Sequence, residues 1–458
     1  YDVGYIDTSH LDETETTVQK PYGIAIIGCG TVGGGTALLL TRDQAFLSEK
    51  SGTPITLKYI VDLDFSHAEE LGLDSSLFET DLDKVLQDPE VQLVIELIGG
   101  TTTAREVIKK ALTADKHVVT ANKALLAHYG EELFGVARSK GKTLSFEASC
   151  AGGIPIVRAL YDGLSANRID AIYGIVNGTC NFILTEMVQK GKSYTDALSD
   201  AQKDGLAEAD PTLDVSGMDS AHKIAIMAGL AFRKKIDFDA IPVQGIDSLE
   251  TLDVVFGQEL GYIVKLLAVA QRMKDGISLR VRPAFIGTDH PLAWVSGPFN
   301  AVSVYGHAVG HTMYYGRGAG ASPTASAVVS DVISTAIGTM QPTFSTLSIW
   351  PDTSESANQL SIDQIRGRYY LRLMVIDKPL VFASIAETLG KHGISISSVL
   401  QKEPTEDGQE PKVVPVVITT HSAQEGNIRK ALAEVDKLDV VVQKTVCISI
   451  VDEHEESL

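Results

Sequence analysis

The 458-residue sequence predicts an α/β protein made of a doubly wound parallel sheet, a mixed α+β region and a small ferredoxin-like unit. Three observations carry that reading. Short β-rich runs alternate with amphipathic helical segments as far as Pro155; glycine-separated strands dominate beyond Gly257; and the last stretch spells strand, helix, strand, strand, helix, strand. A chain of this length exceeds one typical core, so several domains are expected.

The first unit opens with YGIAIIGCGTVGGG, an apolar strand running into Gly28, Gly30 and Gly33 in GxGxxG spacing, with Thr31 and Val32 inside the turn. A helical run, TALLL, follows. In a dinucleotide-binding turn the first glycine permits the bend, the second admits pyrophosphate to the backbone, and the third lets helix pack on strand. Such turns also serve as plain connectors. The context is what favours a Rossmann-type sheet: TLKYIVD, QLVIELIG, KHVVTANK and KTLSFEAS read as strands, with helices over 81–86, 105–112 and 131–139 between them.

Asp62 ends the second strand, where a carboxylate accepts ribose hydroxyls and repels a 2′-phosphate, favouring NAD over NADP. An acidic strand-end turn is the competing reading. Gly99, Gly100 and Thr101 close the next strand and either pass beneath the cofactor or simply turn. Lys123, in TANK, stands at the carboxyl edge where ligands of such sheets bind, or is a surface lysine starting a helix. FEASCAGGIP contains bends whose main-chain carbonyls could ligate a hard monovalent cation; a domain hinge is the simpler alternative.

After Ile169 the texture changes. IDAIYGIVNG reads as a strand, TCNFILTEMVQKG as a helix with Thr179 as its cap, and SYTDALSDAQKDG as a helix opened by Ser193. GLAEADPTLDVSGMDSAHK then gathers Glu208, Asp210, Asp214 and Asp219 ahead of Lys223. Pro211 marks a loop, Ser216 caps a helix, and Asp219 and Lys223 share a helix face at four-residue spacing. Carboxylates around an ammonium suit a small zwitterionic substrate and proton transfer, or an ordinary solvated helix. His222 is assigned to packing or solvent.

YIVKLLAVAQRM, GISLRVRPAFIG, FNAVSVYGHAVG and HTMYYGRG predict an antiparallel sheet, and GRGAGASPTASAVVSD predicts a glycine turn with a helix to Met340 that packs back on the first unit. Residues 341–366 read as a linker, and the closing DEHEESL as disordered. The opening 1–20 stretch reads as an acidic tail, lacking the basic start and apolar core of a secretory signal.

A formal charge of −20 disfavours nucleic acid and anionic membrane as partners, which leaves small molecules. No apolar run reaches the roughly 20 residues a bilayer span needs. Cys29, Cys150, Cys180 and Cys447 show neither CxxC spacing nor a paired framework, which fits a reducing cytoplasm.

The central stretch resembles the signature of homoserine dehydrogenases: Ala201, Gly205, Asp210, Pro211, Asp214, Gly217, Asp219 and Lys223 fill every position. IGCGTVGGG, TANKALLA, FEASCAGGIP, NGTCNFIL and GRGAGASPTASAV resemble further family motifs, in family order. The resemblance implies NAD(P)-dependent interconversion of L-aspartate 4-semialdehyde and L-homoserine, on the route to threonine, methionine and isoleucine. It makes Lys223 the general acid and base, Lys123 a second catalytic or polarising lysine, Glu208 and Asp219 binders of the substrate amine and orienters of the lysine, and Asp214 a support.

It also maps a sodium or potassium site onto the main chain of Glu147, Cys150, Gly152 and Ile154, and the far wall of the cofactor site onto Gly318 and Gly320. Many relatives carry arginine where this chain has Asp62, which sharpens the NAD expectation. Domains follow at 21–155 (Rossmann, completed by helix 318–340), 156–317 (substrate and dimerisation) and 367–451. The last resembles an ACT domain, the unit associated with threonine feedback, although Leu380 replaces the glycine of the usual Asp-x-Pro-Gly turn and narrows or removes the ligand pocket there. A homodimer is expected, with a homotetramer as its extension. The competing functions are a dehydrogenase of another amino-acid semialdehyde and a sensor that binds NAD and an amino acid without chemistry; the Lys223 signature argues against both.

Overall fold

The computed structural model describes residues 20–401 and 413–455. The acidic stretch 1–19 and the last three residues lie outside the described residues. Strands β1 (Tyr22–Ile27), β2 (Ile55–Val61), β3 (Phe78–Glu79), β4 (Leu93–Glu96), β5 (His117–Thr120) and β6 (Leu144–Ser145) form one parallel sheet in the order β3-β2-β1-β4-β5-β6. That order reverses between β1 and β4, so the crevice at their carboxyl ends is the switch point where open α/β sheets bind ligands. The strands read as continuous apolar runs because helices cover both faces; Ile24, Ile26, Leu93 and Ile95 are fully buried.

Helix Ala321–Ala336 returns to pack on helix Thr31–Arg42. Glycine at 35 allows the approach, since a Cβ there would stand 3.1 Å from the Ala321 carbonyl. Of the expected KTLSFEAS strand only Leu144–Ser145 pairs; the chain then winds into a short turn at Glu147–Ser149.

The second sheet is mixed. Its spatial order is Gly310–Arg317, Phe299–Gly306, Ile169–Ile175, Tyr262–Met273, Gly276–Gly287, Val446–Val451, Arg366–Ile376, Val413–Thr420 and Ile396–Gln401. The C-terminal unit has the expected strand and helix order, with helices Val381–Lys391 and Glu425–Val435. Its last strand pairs in parallel with Gly276–Gly287, so the two regions share one continuous sheet. A buried bidentate pair locks this junction: Arg372 donates to Asp253, at 2.6 and 2.9 Å, from across the sheet to helix Thr251–Glu259. Leu380 adopts φ +74° with its side chain 81% exposed, so the turn keeps a glycine-like backbone while the leucine points to solvent.

Two expectations are corrected. Residues 341–366 are not a loose linker but a packed strap: helix Met340–Thr346 leads to a fully buried Trp350, which stacks on Phe134 at 5.8 Å and lies tilted against Phe344 at 5.4 Å. Glu355–Ser356 then pairs with Lys234–Lys235. Nor is the start of the C-terminal tail free, because Asp452 pairs with Arg368 at 2.8 Å and His454 reaches the Tyr173 hydroxyl at 3.4 Å. Among the described residues no helix is long and apolar enough to cross a membrane.

Candidate active site

The three glycines of the first turn do three different things. Gly28 bends at φ +95°, where a Cβ would strike the Leu97–Ile98 backbone. Gly30 faces open space, leaving its backbone accessible from outside. Gly33 packs so closely that a Cβ would fall 1.9 Å from the Gly28 carbonyl. Helix Thr31–Arg42 therefore starts with its amides and positive end aimed at the crevice, and Val32 lies in its first turn. Asp62 Oδ2 accepts from the Cys29 amide at 2.6 Å and Oδ1 from the Leu63 amide at 2.7 Å, so the second strand's carboxylate is tied to the glycine turn.

Glu96 organises the next strand end, a role no sequence motif announced. Fully buried, it accepts from the Ile98 and Gly99 amides (2.9 and 3.2 Å) and from the Thr120 hydroxyl (2.6 Å). Gly99 and Gly100 both take positive φ, and Thr101 follows them in the turn. The Asn122 amide donates to the Gly100 carbonyl at 2.6 Å while its oxygen caps the helix that begins with Lys123. The two strand ends and the start of that helix are thus one bonded unit.

Opposite this edge, helix Met218–Phe232 presents Asp219 and Lys223 on one face. Asp219, 3% exposed, accepts from Lys223 at 2.7 Å through Oδ2 and pairs with Lys123 at 2.9 Å through Oδ1. One carboxylate therefore joins a lysine of the cofactor sheet to a lysine of the second region. Lys223 also donates to the Val176 carbonyl at 2.6 Å. Burial opposes charge on Asp219, yet Lys223 and Lys123 hold its carboxyl well below the usual carboxylate range. Burial likewise opposes charge on Lys123, but its attraction to Asp219 outweighs this and raises its pKa.

Asn177 completes the cluster. Its side-chain nitrogen donates to Asp214 at 2.7 Å and to Asp219 at 2.9 Å, while its oxygen caps helix Gly178–Lys190 by accepting from the Cys180 amide. Burial raises the Asp214 pKa, with the Asn177 amide opposing that shift. The expected cap, Thr179, instead donates to the Leu206 carbonyl at 2.7 Å and to Asp214 at 3.3 Å. Ser216 caps nothing either; Gly217, at φ +86°, opens the helix of Asp219. Glu208 lies outside the bonded cluster: it is exposed, and its carboxylate makes no hydrogen bond or ion pair among the described residues. His222 is buried and stacks on Phe238 at 4.6 Å.

The glycine turn before the returning helix closes the far side. Gly320 takes φ +112°, and the Gly318 carbonyl lies where a Cβ on Gly152 would meet it at 2.5 Å. In the 147–154 loop, Ala151 and Gly152 both have positive φ. The carbonyls of Glu147 and Ile154 accept the Cys150 and Ile156 amides at 3.4 and 2.7 Å, and those of Cys150 and Gly152 accept no hydrogen bond among the described residues. The Glu147 carboxylate is turned the other way, onto the Val157 and Arg158 amides.

Two family models match this chain: one for the homoserine dehydrogenase NAD-binding domain over residues 28–147, one for homoserine dehydrogenase over 155–333. The homoserine dehydrogenase of Pseudomonas aeruginosa is 43% identical over 436 residues, covering 94% of this chain and 99% of its own. This chain belongs to the homoserine dehydrogenase family. It is an oxidoreductase whose first region binds a nicotinamide dinucleotide. The crystal structure of a homoserine dehydrogenase from Thiobacillus denitrificans superposes with a TM-score of 0.88 at 41% identity, covering 95% of this chain and 99% of that one. A hyperthermophilic archaeal homoserine dehydrogenase in complex with NADPH matches 69% of this chain and 97% of its own at 26% identity, with a TM-score of 0.57.

Proposed function

We propose that the enzyme interconverts L-aspartate 4-semialdehyde and L-homoserine in the cytoplasm, with NAD preferred over NADP and Lys223 as the proton carrier. The observation that supports this most is the Lys223–Asp219–Lys123 bridge at the carboxyl edge of the cofactor sheet. The residues around the crevice fit a dinucleotide: an open Gly30, a helix N-terminus behind it, and Asp62 at the second strand end. Bound there, the cofactor supplies or accepts the hydride at the carbon bearing oxygen.

An ammonium has three N–H donors. Lys223 uses two, on Val176 and Asp219, and the third is free for the substrate oxygen. In aldehyde reduction Lys223 Nζ gives that proton to the forming alkoxide; in homoserine oxidation the neutral amine takes it back. Lys123, one-third exposed, polarises the same oxygen from the cofactor side. Asp219 has both oxygens committed to lysines and orients them. Glu208, exposed and with its carboxylate unpaired, takes the substrate ammonium, which the Asp219 charge attracts without a free oxygen of its own. Asp214 supports from behind through Asn177.

Asp62 would repel a 2′-phosphate, which supports the NAD preference; kcat/KM with NADP above that with NAD contradicts it. The carbonyls of Glu147, Cys150, Gly152 and Ile154 supply hard oxygen donors for sodium or potassium. The edge strand Gly310–Arg317, with Met313 and Tyr315 exposed, suits homodimer formation, and the C-terminal units could extend it to a tetramer. That C-terminal unit, read as an ACT domain, would respond to threonine; the left-handed backbone at Leu380 supports a ligand-accepting turn. Unchanged rates at saturating threonine contradict it. The central test is Lys223→Ala, which abolishes NADH oxidation with aspartate semialdehyde and leaves NADH binding intact. Retained turnover overturns the assignment.

A further inference from the structure

The sheet shared by the last two regions forks beside a cavity. Strands Gly276–Gly287 and Val446–Val451 pair in parallel over only three residues, Ala284 to Ile286 against Ser449 to Val451. Pro283 precedes them and has no N–H with which to carry the ladder back toward Gly276. There the strands part. Val281 bonds the segment 242–244 instead, accepting from the Gln244 amide at 2.8 Å and donating to the Pro242 carbonyl at 2.9 Å. Among the described residues, Val446 to Ile448 pair only with Arg366–Ile376 on their other side. Helix Glu425–Val435 borders the gap, which holds a cavity of about 670 Å³, within the usual size of a small-molecule site.

The cavity wall combines hydrocarbon with an excess of positive charge. Leu249, Ile428 and Leu432 supply the first; Arg282, Arg429 and Lys444 supply the second. Its two carboxylates are already engaged. Glu425 accepts from Arg282 at 2.8 Å, Arg429 at 3.3 Å and the Tyr369 hydroxyl at 3.2 Å, and Asp436 accepts from the Thr445 amide and hydroxyl at 2.9 and 2.6 Å. Lys444 is exposed and makes no hydrogen bond or ion pair among the described residues. Arg280, on the same sheet face as Arg282, is buried on Ser278 and Gln271 with no ion pair among the described residues; burial, and then the Arg282 charge, push its pKa down to about 10. Positive charge that the chain does not cancel, beside aliphatic side chains, suits a carboxylate with a hydrocarbon body better than a zwitterion.

The same wall leans on the catalytic helix. Gln244 and Leu249 border the cavity, and between them the Ile246 amide donates to the Val215 carbonyl at 2.9 Å. A Cβ on Gly245 would lie 2.2 Å from that carbonyl, and one on Gly217 would lie 3.4 Å from the Gln244 carbonyl. Gly217 opens the helix of Asp219 and Lys223. The bridge between those side chains and Lys123 already stands at 2.7 and 2.9 Å, so a shift of the helix entry can only lengthen it.

We propose that the fork is an effector site for a small aliphatic carboxylate, whose occupancy displaces segment 242–249 and slows proton transfer at Lys223. The coupling rests on Lys223 and Asp219 carrying the reaction; the binding does not.

The test is calorimetric titration of the full-length protein, without substrate or cofactor, with hexanoate, hexanamide and L-norleucine, which share a hydrocarbon body and differ in charge. Hexanoate binds about fivefold more tightly than either of the others. Lys444→Met weakens hexanoate about fivefold and Lys444→Glu removes its binding, while both variants melt with the wild type because this exposed lysine has no bond to lose. Saturating hexanoate lowers kcat for homoserine about tenfold in the wild type and leaves the Kd of NADH unchanged. Equal binding of hexanamide, tighter binding of norleucine, or unchanged hexanoate binding in Lys444→Glu each overturns the proposal. So does loss of binding in Leu380→Glu but not in the Lys444 variants, which places the ligand at that turn, or an effect confined to the homoserine KM, which places it in the active site. Binding with unchanged kcat refutes the coupling. Retained turnover in Lys223→Ala fails the catalytic reading alone, since the titrations decide the site without it.

Discussion

Asp219→Asn removes the charge that two lysines share while nearly preserving shape. In the native site the carboxylate stands 2.7 Å from Lys223 Nζ and 2.9 Å from Lys123 Nζ, with 3% of the residue exposed. Removing one partner of a buried ion pair typically costs about 3–5 kcal/mol, because the remaining charge loses its compensation. Lys123, whose side chain is 33% exposed, recovers part of that from water, so the lower end of the range applies to it. Three kcal/mol corresponds to roughly two pH units. Asp219 raises the Lys123 pKa, so its removal makes Lys123 easier to deprotonate, and the alkaline rise of homoserine oxidation that follows this lysine moves to lower pH by about that amount. Aldehyde reduction, which needs a protonated and oriented lysine, falls about a hundredfold or more at neutral pH. The assay is the pH dependence of kcat in both directions, with circular dichroism confirming the fold. An alkaline limb at the wild-type pH, in a folded variant, refutes the idea that Asp219 couples the two lysines.

Other consequences follow from the same geometry. Trp350→Ala empties the aromatic stack under the strap and should lower unfolding stability by about 3–5 kcal/mol in urea titration; a loss near zero contradicts its packed role. Asp253→Leu leaves the Arg372 guanidinium with only the half-exposed Glu250 as an ionic partner at the sheet junction and costs about 3 kcal/mol, whereas adding Arg372→Met restores most of it; a double-mutant cycle with no coupling would deny the junction its pair. Burial pushes the His222 pKa down to about 4. Between roughly pH 6.5 and 4 the unfolded chain then binds more protons than the native one, so stability falls as pH drops through that window, by at most about 3 kcal/mol. His222→Asn flattens this acid limb in thermal unfolding between those pH values, and an unaltered limb excludes the histidine as its source.

Much of the fold was legible because its signals are local. An apolar strand entering GxGxxG carries its own turn geometry, and each predicted strand of the second sheet forms close to its expected bounds. The strap was not legible, since Thr, Ser and Pro between short apolar stretches look the same whether a neighbouring groove receives Trp350 or not. Glu96 was hidden for the opposite reason: a carboxylate in an apolar run gives no hint that three donors from two turns will surround it.

The helix caps show where local rules yield to the site. Asn, Asp and Ser cap helices best and Thr a little less well, so Asn177 competes with two hydroxyl residues, Thr179 and Ser216, that stand where helices begin. Neither caps. At the first helix the cap must also reach sideways and donate to Asp214 and Asp219, which needs an acceptor and an N–H pair on one short side chain. Among the strong cap residues only asparagine offers both; an aspartate there would add a third buried carboxylate, and a hydroxyl carries one proton for two acceptors. Thr179 is drawn off to serve Asp214 and the Leu206 carbonyl. At the second helix, Gly217 takes φ +86°, and Val243 and Val281 stand 3.1 and 3.2 Å from where a Cβ would be, so both the left-handed backbone and the close packing at this entry call for glycine. The glycine entry is the departure from capping preference, and it falls on the helix that carries Asp219 and Lys223, as expected where function competes with local preference.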